Sequence, residues 1–472
     1  MEDFYSYDEE FRNSISTVDA EGKRIWVYPK KPKGSFHHAR IVVTIVLLTL
    51  LFVGPFLQWN DHPLFLFNFF ERKFIIFGMQ FWPQDFVILG IATITFFVFI
   101  ILFTVVFGRI WCGWACPQTL FMEMVFRKIE YWIEGDANKQ RRLNSMPWNR
   151  DKIIKKGSKQ LIFILISILI SHTLMAYLIG IDQVKEIVSQ PPTEHMSGFI
   201  GLVVFTGIFY WVFSSFREQA CTVVCPYGRL QGVLLDKQSI VVAYDWLRGE
   251  PRGKRNKKEA DQQKGDCIDC KLCVHVCPTG IDIRNGTQLE CVNCTACIDV
   301  CDEVMTKIDK PKGLIRYDSY NGIKEKIKLT FNARIIAYTV VLVGLLSLLT
   351  FLIFSRSDVE ATILRVPGML YQEKENNRIS NLYNIQFVNK TYKDVLLEVR
   401  LQDIPDGTVK RVGEEELLIP ASGNVEGVFF VELPNAALVG RKTPIVIEMY
   451  RNGELFDELE TNFLGPFKTP NK

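Results

Sequence analysis

The sequence lacks the motifs by which most enzymes hold a nucleotide or a covalently attached haem. It has no G-x-G-x-x-G, no P-loop and no C-x-x-C-H, and neither H-E-x-x-H nor a Ser/His/Asp arrangement is apparent. A net charge of +3 over 472 residues is too small to indicate a nucleic-acid partner. These absences argue against a nucleotide-dependent enzyme, a covalently attached haem and a hydrolase of these classes.

The N-terminus also lacks the pattern of a cleaved signal peptide. Residues 1–16, MEDFYSYDEEFRNSIS, are acidic and polar, with neither a basic n-region nor an apolar h-region. We therefore expect targeting to depend on the first uncleaved membrane helix.

Long hydrophobic runs, by contrast, are abundant. Hydrophobic residues make up 48% of the chain, and 35 positions are phenylalanine. A membrane-spanning helix needs about 20 apolar residues at about 1.5 Å rise each. Runs such as FVILGIATITFFVFIILFTVVF reach this length and have no polar face of the kind a buried core helix shows. We predict membrane helices at about residues 41–59, 86–107, 161–181, 198–216 and 334–354.

The distribution of basic residues predicts how these helices are oriented. Residues 21–40 carry six Lys or Arg and the 108–160 connection carries eleven, whereas the 60–85 loop has two and the 182–197 loop has one. Positive charge marks the cytoplasmic side of a membrane. We therefore predict a multi-pass protein of the cytoplasmic (inner) membrane. Its N-terminal segment 1–40 and the cysteine-rich residues 246–333 would be cytoplasmic, and residues 356–472 periplasmic.

Residues 356–472 differ in type from the rest of the chain. Roughly alternating, β-branched segments such as DVLLEVRLQ and VEGVFFVEL are separated by the turn signals PDG, ASGN and RNGE. This pattern predicts an immunoglobulin-like β-sandwich, without cysteine and hence without a disulfide. The expected fold class is a multi-domain membrane protein with a five-helix transmembrane region. Four of these helices lie within residues 41–245, a ferredoxin-like double [4Fe–4S] domain lies within 246–333, and a docking or packing sandwich follows the fifth helix.

Eight of the twelve cysteines lie within 35 residues, and each of the first four recurs 24 positions later. The spacing C-x-x-C-x-x-C-x-x-x-C is that of a double-cluster ferredoxin, in which the fourth cysteine of each run ligates the other cluster. Structural zinc sites use two C-x-x-C knuckles instead, and disulfides are rare in the cytoplasm. We therefore assign one [4Fe–4S] cluster to Cys267, Cys270, Cys273 and Cys301. The second cluster is assigned to Cys291, Cys294, Cys297 and Cys277.

The four remaining cysteines form two matching pairs. WCGWACP places Cys112 and Cys116 after the second predicted span, and CTVVCP places Cys221 and Cys225 after the fourth. A spacing of i, i+4 puts both sulfurs on one face of a helical turn. The proline that follows each pair disfavours helical geometry at the second cysteine.

The residues alone leave three interpretations of these pairs. Free cysteines pack between helices as small apolar residues. Alternatively, the four thiolates ligate a third cluster or another metal, or they form a soft-ligand site for a transient ion, since thiolate selects Cu(I). His172, inside the third predicted span, is either a ligand or bonded to a backbone carbonyl or a neighbouring helix. His275, between two cluster cysteines, is expected to be a polar loop residue.

The chain resembles the CcoG/FixG/RdxA family, accessory proteins of the cbb-type cytochrome c oxidase, over essentially its full length. The resemblance rests on EGKRIWVYPKKPKGSFHHAR before the first span, FWPQDF before the second, both C-x-x-x-C-P motifs and the double ferredoxin run. It implies two [4Fe–4S] clusters on the eight ferredoxin cysteines and reduction of Cu(II) to Cu(I) for the copper–haem site of the oxidase. It also implies copper handling or membrane redox chemistry at Cys112, Cys116, Cys221 and Cys225. Asp302 departs from the proline usual there, which is expected to change the potential or exposure of the second cluster and not its ligation.

We therefore expect a membrane-bound electron-transfer protein that acts as a cupric reductase in oxidase assembly. Its expected partners are membrane lipid, oxidase subunits or copper chaperones, and an electron donor that the sequence does not identify, with a homodimer left open. Two other functions are compatible with the sequence. One is a quinol-linked ferredoxin-type relay, and the other is a non-catalytic assembly scaffold. An outer β-domain favours assembly, because a relay needs no such domain.

Overall fold

The computed structural model describes residues 17–18, 21, 23–59, 62–254, 264–326, 333–366, 368, 370–413, 417–451 and 453–466. The chain divides into two compact units. The first comprises Met1–Phe69 and Leu89–Leu349, and the second comprises Phe70–Ile88 and Thr350–Lys472. Residues 1–16, on which the expectation about a signal peptide depends, lie outside the described residues.

Five helices in the described part of the chain are long and apolar enough to cross a membrane, which confirms the five-helix prediction. They are Ser35–Phe56, Phe86–Phe107, Arg150–Ile179, Met196–Phe216 and Ala333–Phe354. Each has 21 to 30 residues, so at about 1.5 Å per residue each reaches about 30 Å or more. The chain is thus compatible with a multi-pass membrane protein.

Two of the predicted helices differ from the structure at both ends. The first helix begins at Ser35 and ends in the 3₁₀ turn Gly54–Phe56, so residues 57–59 are not helical. The third begins at Arg150, because the Asn149 side chain accepts a hydrogen bond from Lys152 N–H and caps the helix. It ends at Ile179, because the φ of 90° at Gly180 breaks the helical path.

Aromatic side chains hold part of the first unit together. Phe126 stacks on Phe213 with ring centroids 4.6 Å apart and meets Phe163 edge-on at 4.8 Å. Phe126 lies in the π-helical segment Phe121–Phe126, and two further π segments follow at Val212–Phe216 and Ala220–Val224. Such segments often occur at functional sites, and these three flank both C-x-x-x-C-P motifs.

Short elements complete the first unit. The shorter helices are Ile110–Trp114, Pro117–Leu120, Arg127–Ile133, Ala137–Ser145, Ile181–Ser189, Pro226–Leu234, Trp246–Gly249, Leu272–His275, Ala296–Lys307 and Tyr320–Glu325. The 3₁₀ turn Ile283–Asn285 follows the first cysteine run. Strands are Gln58–Trp59, His62–Pro63, Phe65–Asn68, Val241–Tyr244 and Ile315–Asp318. The last two pair antiparallel, so they join the two ends of the cysteine-rich segment.

The second unit contains the β-sandwich, which confirms the predicted immunoglobulin-like fold. One antiparallel sheet has the order Thr408–Arg411, Asn424–Pro434, Arg378–Asn389 and Val359–Arg365, and Gln372–Lys374 also pairs with Arg378–Asn389. The other has the order Leu417–Ile419, Val395–Leu401, Lys442–Arg451 and Glu454–Leu464. Fully buried residues of both sheets, including Ile385, Phe387, Ile447 and Phe463, form the core.

The loop after the first long helix contributes to the same unit. Its strands Lys73–Ile76 and Met79–Phe81 pair with each other. Lys390 Nζ, on the sandwich, lies 2.7 Å from a carboxylate oxygen of the buried Asp85, and Arg356 Nε lies 3.3 Å from the same oxygen. Tyr392 donates its hydroxyl hydrogen to the carbonyl of Gly78 at 2.8 Å. The loop and the sandwich therefore fold together.

Candidate functional site

The two cysteine runs repeat in backbone conformation as well as in sequence. Asp269 and Lys271 have φ values of 51° and 55°, and Asn293 and Thr295, 24 positions later, have 51° and 66°. Left-handed geometry costs about 1–2 kcal/mol for a residue other than glycine, so the surrounding structure must stabilise it. In both runs a helix starts directly after the second left-handed residue. The 24-residue repeat is thus a repeated loop-and-helix unit.

The eight cysteines of these runs line two small cavities of similar size. The first is lined by Cys267, Cys270, Cys273 and Cys301. The second is lined by Cys277, Cys291, Cys294 and Cys297, together with Cys273 from the edge of the first. The remote cysteine of each run therefore borders the cavity of the other run, and the assignment of the clusters to these residues stays a prediction.

Burial controls the charge of these thiols. It raises the pKa of Cys273, Cys291 and Cys301 to about 12, and neighbouring thiols raise it further. Arg284 beside Cys273 and Arg109 beside Cys291 oppose this rise. A coordinated metal keeps such thiols ionised. Four soft sulfur donors around each of two buried cavities are a donor set that fits a [4Fe–4S] cluster.

The C-x-x-x-C-P motifs have the broken geometry that their prolines predict. Cys116 and Cys225 adopt extended conformations, with ψ of 123° and 109°, directly before Pro117 and Pro226. Cys225 Sγ accepts a hydrogen bond from the N–H of Gly228 at 3.4 Å. The second cysteine of each motif is therefore the N-cap of the helix that begins at the following proline.

The four thiols of the two motifs lie near enough to affect one another's ionisation. Burial, with a smaller contribution from repulsion by Cys116, Cys112 and Cys225, raises the pKa of Cys221 to about 12. Burial likewise raises the pKa of Cys112, against the lowering effect of Arg109. Among the described residues, no three His, Cys, Asp or Glu side chains converge as closely as a single metal ion requires. This holds for the ferredoxin cysteines and the membrane-proximal cysteines alike.

The WCGWACP motif lies directly against the second cysteine run. A Cβ atom on Gly113 would lie 2.5 Å from the carbonyl oxygen of Val292 and 2.7 Å from that of Asn293. Trp114 donates its Nε1 hydrogen to the Tyr317 hydroxyl at 3.0 Å, and Tyr317 donates to the Asn293 carbonyl at 3.2 Å. One cysteine motif is thus packed on a loop that supplies cysteines to the second cavity.

Two polar residues that the sequence did not single out, Arg109 and Gln231, link the two C-x-x-x-C-P motifs. Gln231 Oε1 accepts hydrogen bonds from Arg109 Nε at 3.0 Å and from Cys112 Sγ at 3.1 Å. Arg109 also donates through Nη1 to the carbonyl of Leu289, two residues before Cys291. Neither residue belongs to a recognisable motif, and only the fold brings them to the thiols.

The secondary candidates have structural contacts. His172 bonds through Nδ1 to the Ile168 carbonyl at 2.8 Å, one of the alternatives considered for it. His275 is not in a loop as the sequence predicts but is the last residue of the short helix Leu272–His275, and its backbone carbonyl accepts the N–H of Lys30 at 2.7 Å. Asp302 Oδ1 accepts the N–H of Gly313 at 2.8 Å, and its charge raises the pKa of Cys301, although burial is the larger cause.

Family models match three parts of the chain. A 4Fe-4S dicluster domain matches residues 216–320, and a 4Fe-4S binding domain matches residues 89–139. The immunoglobulin-like fold at the C-terminal of FixG matches residues 349–466, and its description names FixG as a candidate oxidoreductase. The first two matches include all twelve cysteines, those of the C-x-x-x-C-P motifs among them.

Three characterised relatives align along most of the chain. RdxB of Cereibacter sphaeroides is 34% identical, covering 79% of this chain and 81% of RdxB. RdxA of the same organism is 33% identical over 85% of this chain and 87% of RdxA. The nitrogen fixation protein FixG of Rhizobium meliloti is 30% identical over 83% of this chain and 82% of FixG. The chain therefore belongs to the FixG/RdxA family of iron–sulfur proteins.

Proposed function

We propose that the chain is a membrane-bound electron-transfer protein that reduces Cu(II) to Cu(I) for assembly of the copper site of a cbb-type cytochrome c oxidase. Cys267, Cys270, Cys273 and Cys301 would hold one [4Fe–4S] cluster, and Cys277, Cys291, Cys294 and Cys297 the other. A [4Fe–4S] cluster, when bound, accepts and releases one electron at a time. The residues of the chain hold the sulfur donors and keep the two cavities adjacent, since Cys273 borders both.

Copper is the substrate in this proposal, and the four thiols Cys112, Cys116, Cys221 and Cys225 are its binding groups. Thiolate is a soft ligand and stabilises Cu(I) over Cu(II). Each Cu(II) gains one electron, which a cellular donor supplies. The observation that carries the proposal is the packing of Gly113, between Cys112 and Cys116, on Val292 and Asn293. It brings the proposed copper site next to the second cluster site.

The topology in this proposal rests on charge. Residues 70–85, in the loop between the first and second long helices, belong to the same unit as the C-terminal sandwich, and Tyr392 bonds to Gly78 there. The loop that carries Cys112 and Cys116 folds with the ferredoxin-like segment. By the positive-inside rule, the basic connections 21–40 and 108–160 would face the cytoplasm together with the cysteines. With five spans, the sandwich would then face the periplasm, where it would dock oxidase subunits or copper chaperones.

A second candidate role for the four membrane-proximal thiols is a third [4Fe–4S] cluster. The match of residues 89–139 to a 4Fe-4S binding domain favours it, because that range contains Cys112 and Cys116. Iron analysis separates the two roles. About eight iron atoms per chain agree with two clusters and about twelve with three.

The test uses the purified full chain in detergent, with excess Cu(II), a reductant and a Cu(I)-specific chelator as the readout. Cys112→Ser and Cys267→Ser are each expected to lower the rate at least about ten-fold. Thr222→Ala, between the cysteines of CTVVCP, is the matched control and is expected to keep the rate. Full activity in both serine variants contradicts copper reduction at this site. If the protein does not reduce Cu(II) and oxidises a quinol instead, the result supports the relay.

A further inference from the structure

The first unit contains a third cavity, of about 680 Å³, that no cysteine lines. It lies between residues 31–41, which include the first turns of the first long helix, and residues 123–132. Its volume is in the range of about 300–1,000 Å³ that is usual for small-molecule sites. Six of its lining residues are basic or histidine: Lys31, Lys33, His37, His38, Arg40 and Lys128.

The positive charge of the side chains that line this cavity is not balanced by acidic residues of the lining. Glu123 is the acidic residue of the lining, and it lies 2.6 Å from Arg127 Nη1, so its charge is already paired. Among the described residues, no carboxylate lies within ion-pair distance of Lys31, Lys33, Arg40 or Lys128. Burial, followed by repulsion from Arg40 and Lys31, lowers the pKa of Lys128. The cations therefore repel one another across the cavity.

Arg40 is the buried member of the set. Its side chain is only 4% exposed, and its Nε donates to the carbonyl of Gly113 at 2.7 Å. Its Nη2 is buried and has no hydrogen-bond partner among the described residues. A buried charge is costly unless an opposite charge lies near it, and an anion in the cavity would supply that charge without contacting Nη2.

Other lining residues of the cavity are aromatic or apolar. Tyr131 and Trp132 contribute aromatic rings, and Ile41 belongs to the first long helix. Tyr131 is held in place by a 3.0 Å hydrogen bond from its hydroxyl to the carbonyl of Pro29. The cavity thus combines a cationic region with apolar and aromatic surface.

We propose that this cavity binds an organic phosphate, with Lys31 and Lys128 on the phosphate group, the charge of Arg40 behind them, and Tyr131 and Trp132 against the organic part. Two sources share this chemistry. One is the head group of an anionic phospholipid, because the cavity reaches the first apolar helix. The other is a soluble phosphate ester that carries an aromatic ring system. The site does not depend on the proposed copper chemistry.

The experiment measures binding to the purified full chain in a neutral detergent. The probes are flavin mononucleotide, with riboflavin as its phosphate-free counterpart, and short-chain phosphatidylglycerol, with phosphatidylcholine as its zwitterionic counterpart. At least one anionic probe should bind more tightly than its counterpart. The double variant Lys31→Gln/Lys128→Gln should weaken that binding at least about ten-fold, since two charged contacts are lost. Lys139→Gln removes an exposed lysine outside the cavity and should leave the affinity unchanged.

The possible outcomes distinguish the two sources of the phosphate and also test whether the cavity binds one at all. Selective binding of phosphatidylglycerol identifies a lipid site, and selective binding of flavin mononucleotide identifies a soluble phosphate ester. If neither anionic probe binds, or if the double variant binds them as tightly as the wild type does, the proposal is wrong. Iron content and the visible spectrum, measured on the same samples, report whether the double variant is folded. Were it misfolded, Lys128→Gln alone would be used, with the same expected direction.

Discussion

A Cβ atom on Gly113 would lie 2.5 Å from the carbonyl oxygen of Val292. Real Cβ atoms do not approach a backbone oxygen so closely, so only glycine fits at this contact. Gly113 lies between the cysteines of the first C-x-x-x-C-P motif, and Val292 follows Cys291 directly. The contact therefore fixes the distance between the proposed copper site and the second cysteine-lined cavity.

Gly113→Ala should disturb this contact. Overpacking of this kind costs about 1–3 kcal/mol, and the displaced loop should slow Cu(II) reduction more than it lowers the Tm. The matched control is Gly207→Ala, in the fourth long helix, where an added Cβ meets nothing within 4 Å. Alanine there should leave both the rate and the Tm unchanged or raise the Tm slightly. Equal rates in the two variants would show that the contact has no role in transfer.

Replacing the fourth cysteine of either run by serine should remove one of the two clusters. Cys301 borders the first cavity and Cys277 the second. Cys301→Ser should therefore perturb the electron paramagnetic resonance signal of one reduced cluster, and Cys277→Ser the signal of the other. Iron content should fall by as much as about four atoms per chain in each case. Identical residual spectra in the two variants would contradict the crossed assignment.

The ion pair of Glu130 and Arg217 should make stability depend on pH. Arg217 Nη1 and Nη2 donate to the two carboxylate oxygens at 2.7 and 2.9 Å, and both residues are buried. Burial alone would raise the pKa of Glu130, but Arg217, Lys159 and Arg127 more than offset this, so the pKa is lowered. The stabilisation is then fully present above the unfolded-state pKa of about 4.3 and is lost as the pH falls through the lower folded-state pKa.

Glu130→Gln should thus lower the Tm at pH 7, because removing one partner of a buried pair costs about 3–5 kcal/mol. Its Tm should fall less steeply than that of the wild type below about pH 4.3. The control, Asp151→Asn, breaks an exposed pair with Lys155 at 2.9 Å and should cost less than about 1 kcal/mol. Parallel pH profiles for Glu130→Gln and the wild type would exclude this pair as a source of the acid sensitivity.

Asp85→Asn should loosen the second unit. The Asp85 carboxylate is buried and meets Lys390 Nζ at 2.7 Å, and Lys390 itself is buried. Lys390 keeps its pair with Glu360 Oε2 at 2.5 Å, so the lost charge-assisted bond should cost about 1–3 kcal/mol. Faster hydrogen exchange at residues 73–81 and 390–392 is the expected readout. Glu432→Gln, which breaks the 3.8 Å contact with the exposed Lys410, is the control and should leave exchange unchanged.

Much of the cysteine arrangement was predictable because it depends on local geometry. A proline disfavours helix at the residue before it, which is why Cys116 and Cys225 are extended. The 24-residue repeat predicted which cysteines share a cavity, since the same spacing folds into the same loop, with left-handed residues at positions 269 and 293. The alternating segments after residue 356 likewise predicted the sandwich.

Other features depend on contacts between distant parts of the chain and left no local signal. Gln231 lies more than 100 positions from Arg109 and Cys112, yet it bonds to both. The pairing of Asp85 with Lys390 joins residues 305 positions apart. The start of the third long helix at Arg150 was missed because its first turns are basic, and an apolar window begins only later. Hydropathy therefore predicts the apolar part of such a helix and not the residue at which the helix begins.

The most direct test of the account is a single-turnover experiment. The full chain is reduced anaerobically, freed of reductant and mixed with Cu(II) and a Cu(I)-specific chelator, while the cluster absorbance is followed. The account predicts that Cu(I) forms at the rate at which this absorbance recovers, with about two Cu(I) per chain for two one-electron clusters. Cys112→Ser/Cys221→Ser should keep reducible clusters and lose this rate at least about ten-fold. Equally fast formation of Cu(I) in that variant, or clusters that stay reduced in the presence of Cu(II), would contradict it.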